Sequence, residues 1–147
     1  MTAVPTAINN LLELLRADTE LKADDVLIED GPWIDRPDKP AIVVVGWVPE
    51  EGESVDWSAT SSDLSAGQNQ SFTLQGLVSY LDGDGDMVIA RNKADALLEK
   101  LRGIISKNKR LGGAVNHTEL NAVSASPDQS PDGAEWAIRW AITARVF

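Results

Sequence analysis

Apolar positions along the chain gather into seven stretches, and each has a period that predicts an element. Behind Pro5-Thr6, the residues Ile8, Leu11, Leu12 and Leu15 recur at helical spacing while Asn9, Asn10, Glu13 and Arg16 stay off the stripe. This predicts a helix from about Pro5 to Ala17, ending before the polar stretch Asp18–Asp25. Val26-Leu27-Ile28 is a short apolar run stopped by Glu29-Asp30-Gly31-Pro32, a brief strand and a turn, and the prolines of 35–40 make a loop. Ala41 to Val48 is β-branched and almost continuously apolar, which fits a strand buried on both faces or sealed by a partner subunit. Pro49 ends it.

From Ser71 to Leu81 the pattern alternates. Phe72, Leu74, Val78 and Tyr80 share a face with Gly76, opposite Thr73, Gln75 and Ser79, and the glycine marks a bulge or a close crossing. Asp82-Gly-Asp-Gly-Asp86 then leads into Met87, Ala90, Ala94, Leu97, Leu98, Leu101, Ile104 and Ile105, the spacing of an amphipathic helix of about 20 residues. Leu111-Gly112-Gly113 closes it, with glycine available for a left-handed C-cap. Val115–Ser124 reads as a mixed strand, 126–133 as a hairpin loop, and Glu135–Phe147 as a long strand. In that last strand Trp136, Ile138, Trp140, Ile142 and Val146 face one way and Arg139, Thr143 and Arg145 the other.

The expected order is αβββαββ: one α+β domain over 1–147, with an antiparallel or mixed sheet of about five strands and two helices packed on one face. Between Glu50 and Gln70 no period survives, so a long flexible loop is expected at about 49–70, an unusual length without a function or a partner. Trp57 stands alone in that stretch, either a local packing anchor or a contact residue for a partner.

Composition narrows the function classes. The chain has 147 residues, 43% apolar and 24% charged, with 13 basic and 23 acidic side chains and a formal net charge of −10. A chain of this size buries about 70% of its unfolded surface. No apolar run reaches the roughly 18 residues of a membrane span, and no basic segment leads into an apolar one, so neither a transmembrane helix nor a signal peptide is expected. The absence of cysteine excludes disulfides, zinc thiolate sites and thiol catalysis. The acidic balance argues against a general nucleic-acid binder, which needs clustered Lys and Arg.

Charge is divided along the chain. Residues 1–86 hold 17 acidic and 4 basic side chains; residues 87–147 hold 6 and 9. Glu50, Glu51, Glu53, Asp56 and Asp63 face no basic residue between Val48 and Asn69, whereas Arg91, Lys93, Lys100, Arg102, Lys107, Lys109 and Arg110 crowd one later segment. Two solvated faces would explain this. So would a subunit whose acidic side meets the basic side of a neighbour, as in a ring.

Motifs for chemistry fail one by one. Asp82-x-Asp84-x-Asp86 begins like a calcium loop, but Met87 stands where glycine belongs and Lys93 where glutamate belongs. Acids at a helix N-terminus, and cations such as Lys107, Lys109 and Arg110 at a C-terminus, are favoured by the helix dipole alone. Gly83, Gly85, Gly112 and Gly113 make no phosphate cradle, His117 is the one histidine and has no nucleophile motif, and the carboxylates form no pair in an apolar setting. No enzymatic activity, metal or cofactor is expected.

The ordered set of segments resembles the tail terminator proteins of long, non-contractile-tailed bacteriophages, the minor tail proteins that close the tail tube. The resemblance spans nearly the whole chain: the helix Ala7–Leu15, the strand and turn Val26–Pro32, the strand Ala41–Gly46, the passage Gly83–Arg91, the Leu111-Gly112-Gly113 ending and the final strand closing on Ala144-Arg145-Val146. It implies a virion protein, assembled in the host cytoplasm, that forms a hexameric ring on the head-proximal end of the tail tube. Such a ring stops tube polymerisation and offers the surface for head–tail joining. Its partners would be further copies of itself, the major tail tube protein and a head–tail connector or stopper protein. DNA would pass through the lumen without sequence-specific binding, and no membrane is involved. The residues expected at interfaces are Glu50, Glu51, Glu53, Trp57 and Asp63 on the acidic side and Arg91, Lys107 and Arg110 on the basic side. The nearest alternative is a head–tail connector, stopper or tail completion protein. A DNA-mimicking binding module is a third class, which regular rows of carboxylates would favour.

Overall fold

The computed structural model describes residues 3–32, 38–47, 55–59 and 70–146, with residues 55–59 and 70 described by their backbone alone. Helix α1 spans Val4–Ala17, with Pro5 in its first turn, and buries Val4, Ala7, Leu11, Leu12 and Leu15. Proline there loses no helical hydrogen bond and presets φ. The polar stretch that follows contains a second helix, α2, at Thr19–Ala23. Asp18 caps it by accepting from the Leu21 amide at 3.4 Å, and Leu21 is its buried anchor. A single apolar side chain has no period, which is why the sequence pattern missed it.

Six strands form one mixed sheet, so the expected α+β class holds with two helices on one face. They are β1 (Leu27–Asp30), β2 (Ala41–Val45), β3 (Val55–Ala59), β4 (Gln70–Asp82), β5 (His117–Ser130) and β6 (Gly133–Val146). The lateral order is β1-β2-β4-β6-β5, with β3 also pairing β4. β1 runs parallel to β2, and the other pairings are antiparallel. The observed order, ααββββαββ, therefore exceeds the expected one by α2 and β3.

β2 and β3 occupy one strand position in two halves. β2 lies beside residues 76–80 of β4, β3 beside 70–74, and both run the same way. The chain leaves this position at Gly46, whose φ of 79° an L side chain rarely adopts, so β2 stops at Val45 rather than at the Pro49 expected from the apolar run. All five β2 side chains are buried, as a doubly covered strand requires. β3 sets residues 55–59 of the stretch expected as a long flexible loop at about 49–70 into the sheet; residues 48–54 and 60–69 lie outside the described residues.

Helix α3 (Met87–Lys107) follows β4 through a tight turn. Asp86 caps it, accepting from the Val88 and Ile89 amides at 2.9 and 3.4 Å, and the Asp82 carboxylate accepts from the Asp86 amide at 2.8 Å. Its stripe Ala90, Ala94, Leu97, Leu98, Leu101 and Ile105 is buried. The glycines expected to cap it do something else. The helix ends at Lys107, and Leu111, Gly112 and Gly113 form a separate left-handed turn with φ of 46°, 67° and 91°. Asn10 of α1 donates to the Leu111 carbonyl at 2.8 Å and fixes that turn against the first helix.

The core lies between the helices and one sheet face. α1 and α3 cover Val43, Val45, Phe72, Leu74, Val78, Ile138, Trp140 and Ile142, while Ile42, Val44 and Leu77 form a smaller cluster on the other face. Trp140 is fully buried and lies across Gly76, its direct partner on β4. A Cβ at Gly76 would collide with the Trp140 indole and the Val44 carbonyl, so the glycine is a close crossing and not a bulge.

The hairpin β5–β6 differs most from expectation. The eight residues assigned to its loop reduce to the turn Pro131-Asp132, and β5 continues to Ser130, paired with β6 on both sides of a register shift at Val123. Residues 121–129 of β5 are exposed on both faces, so they carry no period to read.

Candidate assembly surfaces

Titratable side chains on the described surface serve mainly as caps and ties. Asp82 and Asp86 hold the start of α3, as above. Lys100 donates to Asp24 and joins α3 to α2. That hydrogen bond is the main reason the Asp24 carboxyl lies below its ordinary value and the Lys100 ammonium above its own. His117 lies 3.4 Å from Glu119 on the exposed start of β5. Two buried polar side chains are bonded inside the fold: Ser79 donates to Glu135 at 2.8 Å, and Thr118 to the Lys109 carbonyl at 2.7 Å. Among the described residues no group of three or more His, Asp or Glu is placed to hold a metal ion.

Open grooves flank α3 on both sides. One, of about 800 Å³, separates the end of α1 and α2 from α3 and is lined by Leu14, Gly103 and Ile104 with Glu20, Lys100 and Lys107. Another, of about 540 Å³, lies between the first half of α3 and the middle of β5, lined by Arg91, Asp95, Leu98, Val123 and Trp136. Their mixed linings converge no set of groups on a reacting atom.

Two of the sheet edges, β1 and β5, carry their own protection. On β1, Arg16 of α1 donates to the Ile28 carbonyl at 3.2 Å; on β5, Arg102 of α3 donates to the Leu120 carbonyl at 3.2 Å. β5 further carries a register shift between Ala122 and Ser124 and a proline at 127. Occupied acceptors, bulges and edge prolines all oppose the addition of a further strand. The two outer strands are thus poor templates for strand-on-strand assembly.

Of the residues expected at interfaces, Arg91 and Lys107 lie far apart. Arg91 stacks over the Trp136 ring, 4.9 Å from its centroid, near the start of α3. Lys107 is 16 residues further along the helix, about 24 Å at 1.5 Å per residue. A crowd of cations in sequence is therefore spread along a helix in space. Trp57 lies on β3, in register with Phe72. Glu50, Glu51, Glu53 and Asp63 lie outside the described residues.

What the fold does assemble is a basic end and an acidic end. Lys107 ends α3 and Lys109 and Arg110 follow it, where the Val115 amide bonds the Arg110 carbonyl at 3.2 Å and the Asn116 amide bonds the Arg145 carbonyl at 2.8 Å. Arg145 is the cross-strand partner of His117, so it joins this end from the far end of β6. At the other end, the turn Asp82–Asp86 lies against the β5–β6 turn: Gln129 donates to the Gly85 carbonyl at 3.4 Å, and Gly133 sits close to the Asp82 backbone. Asp82, Asp84, Asp86, Asp128 and Asp132 meet there, and neither 82–86 nor 128–135 contains a Lys or Arg. Pattern reasoning missed Arg145, Asp128 and Asp132 because only the register brings them to those ends.

No family model matches the chain, and no curated protein matches it. Among solved structures the chain is similar to a chain of the virion of a native gene transfer agent particle, at 16% identity and a TM-score of 0.46, covering 92% of this chain and 90% of that one.

Proposed function

We propose that this protein is a structural component of a phage-type virion, a tail terminator that caps the head-proximal end of the tail tube as a hexameric ring. The observation that supports this reading is the order of the segments. The helix at 4–17, the strand at 27–30, the buried strand at 41–45, the turn 82–86 into α3 and the final long strand follow in the sequence order of the resemblance, with both long helices on one face of the sheet. A surface occupied by caps, ties and opposed charged ends suits assembly better than catalysis.

In this reading the ring stops polymerisation of the major tail tube protein and presents the surface to which a head–tail connector or stopper docks. DNA passes through its lumen without sequence-specific binding. Glu50, Glu51, Glu53, Trp57 and Asp63 form the contact with tube subunits; replacing the three glutamates with glutamine weakens assembly in a salt-dependent way.

The test is electron microscopy of lysates from a phage carrying an early nonsense codon in this gene. Overlong or ragged tubes beside filled, tailless heads are the expected result. Finished tails of normal length separated from heads would replace the terminator by the alternative, a connector, stopper or completion protein.

A further inference from the structure

We infer that the basic end of this protein is a docking surface for the acidic end of a second copy, a head-to-tail contact between subunits. The inference rests on the ring reading above and names the surfaces that close the ring.

Four cations, Lys107, Lys109, Arg110 and Arg145, share the basic end with one nearby carboxylate, Glu119, which lies 3.4 Å from His117. Local needs account for part of this: Lys107 lies in the last turn of α3, where a cation is favoured, and Asp82 and Asp86 cap the first. They do not account for Arg145 at the end of β6 or for Asp128 near the end of β5, while Asp84 and Asp132 also sit in tight turns that favour aspartate. The 13 β4–β6 pairs set the two ends about 40 Å apart at roughly 3.3 Å per residue. Charges at that distance are screened from each other, since the Debye length at physiological salt is about 8 Å. The division therefore contributes almost nothing within one copy; it acts only when another surface comes close.

The same chain supplies a surface of opposite sign, and one copy offers both at once. Two different patches that pair make a heterologous contact, the kind that closes into rings or extends into filaments. Strand addition on β1 and β5 is opposed by Arg16, Arg102, the register shift and Pro127. Those two edges are therefore poor places for copies to meet by strand addition.

Charge reversal with complementation tests it in the full-length chain. One variant carries Lys107→Glu, Lys109→Glu and Arg110→Glu; the other carries Asp84→Lys, Asp128→Lys and Asp132→Lys, sparing the capping Asp82 and Asp86. Each alone puts like charges at the contact and is expected to weaken self-association by about 100-fold in sedimentation. An equimolar mixture restores it, with an even number of subunits in each closed assembly. Circular dichroism confirms that both variants fold. Where the free chain sediments as a monomer, the readout moves to infected cells: neither variant alone rescues the nonsense phage, and the two co-expressed do. Either variant assembling like wild type, or a mixture no better than its folded components, overturns the contact. The terminator reading stands or falls separately on the tails of the nonsense phage: normal tails with charge-dependent assembly would remove the terminator and keep the contact.

Discussion

The two strands of the C-terminal hairpin have the same length and the same ladder, yet they exist for different reasons. β6 alternates, and Ile138, Trp140, Ile142 and Ala144 go into the core. β5 is exposed from 121 to 129 and buries Thr118 and Leu120 near its start. Side chains fix β6 in register, because a slip of one residue would turn its tryptophans to the outer face. β5 is held mainly by its backbone bonds to β6. A strand can thus be specified by its own sequence or by its neighbour's, and only the first kind announces itself.

The largest expected effect breaks the first kind. Trp140→Ala removes a fully buried indole and is expected to cost about 3–5 kcal/mol, read as a lower urea midpoint. Gly76→Ala comes next, at about 1–3 kcal/mol, because its Cβ meets the same indole. Combining the two sharpens the point: the glycine substitution should cost less once Trp140→Ala has removed the indole, and strict additivity would mean that Val44 sets the cost instead.

On β5 the same kinds of change should be nearly silent. Val123 is 60% exposed at the register shift, and Val123→Ser is expected to move stability by less than about 0.5 kcal/mol. Pro127→Thr returns an amide to the edge; stability should hold while concentration-dependent self-association rises, measured by light scattering.

The smallest effect belongs to the exposed Asp24–Lys100 tie, which like β5 gives position more than stability. The lowered Asp24 value means that its contribution is present above the ordinary carboxylate range and is lost as pH falls through the folded value. The raised Lys100 value means that its share is present below the ordinary lysine range and is lost as pH rises through the folded value. The difference in urea midpoint between wild type and Asp24→Asn should therefore be small at neutral pH, narrow on acidification, and narrow again in high salt. A gap that widened in acid would contradict the assignment.

By itself, the sequence determined both long helices, the doubly buried β2, the faces of β4 and β6, and the close crossing at Gly76 as one of two readings. In each, burial on one or both sides imposes a period or a run that composition cannot hide. The sequence was silent where burial is slight or local: α2 depends on one leucine and a cap, and β5 beyond Ser124 depends on the ladder from β6. β3 alternates weakly as Val55-Asp56-Trp57-Ser58-Ala59, a signal overridden by the acidic, serine-rich stretch around it. The charge division was legible as two unequal halves of the chain, but its spatial form was not. Only tertiary structure spread Arg91 and Lys107 along one helix, and only strand register carried Arg145 to Lys109 and Arg110 and set Asp128 and Asp132 beside Asp84. Local propensity acts over a turn of helix or a few strand residues, whereas an electrostatic surface is made by whichever residues the topology brings to the same end.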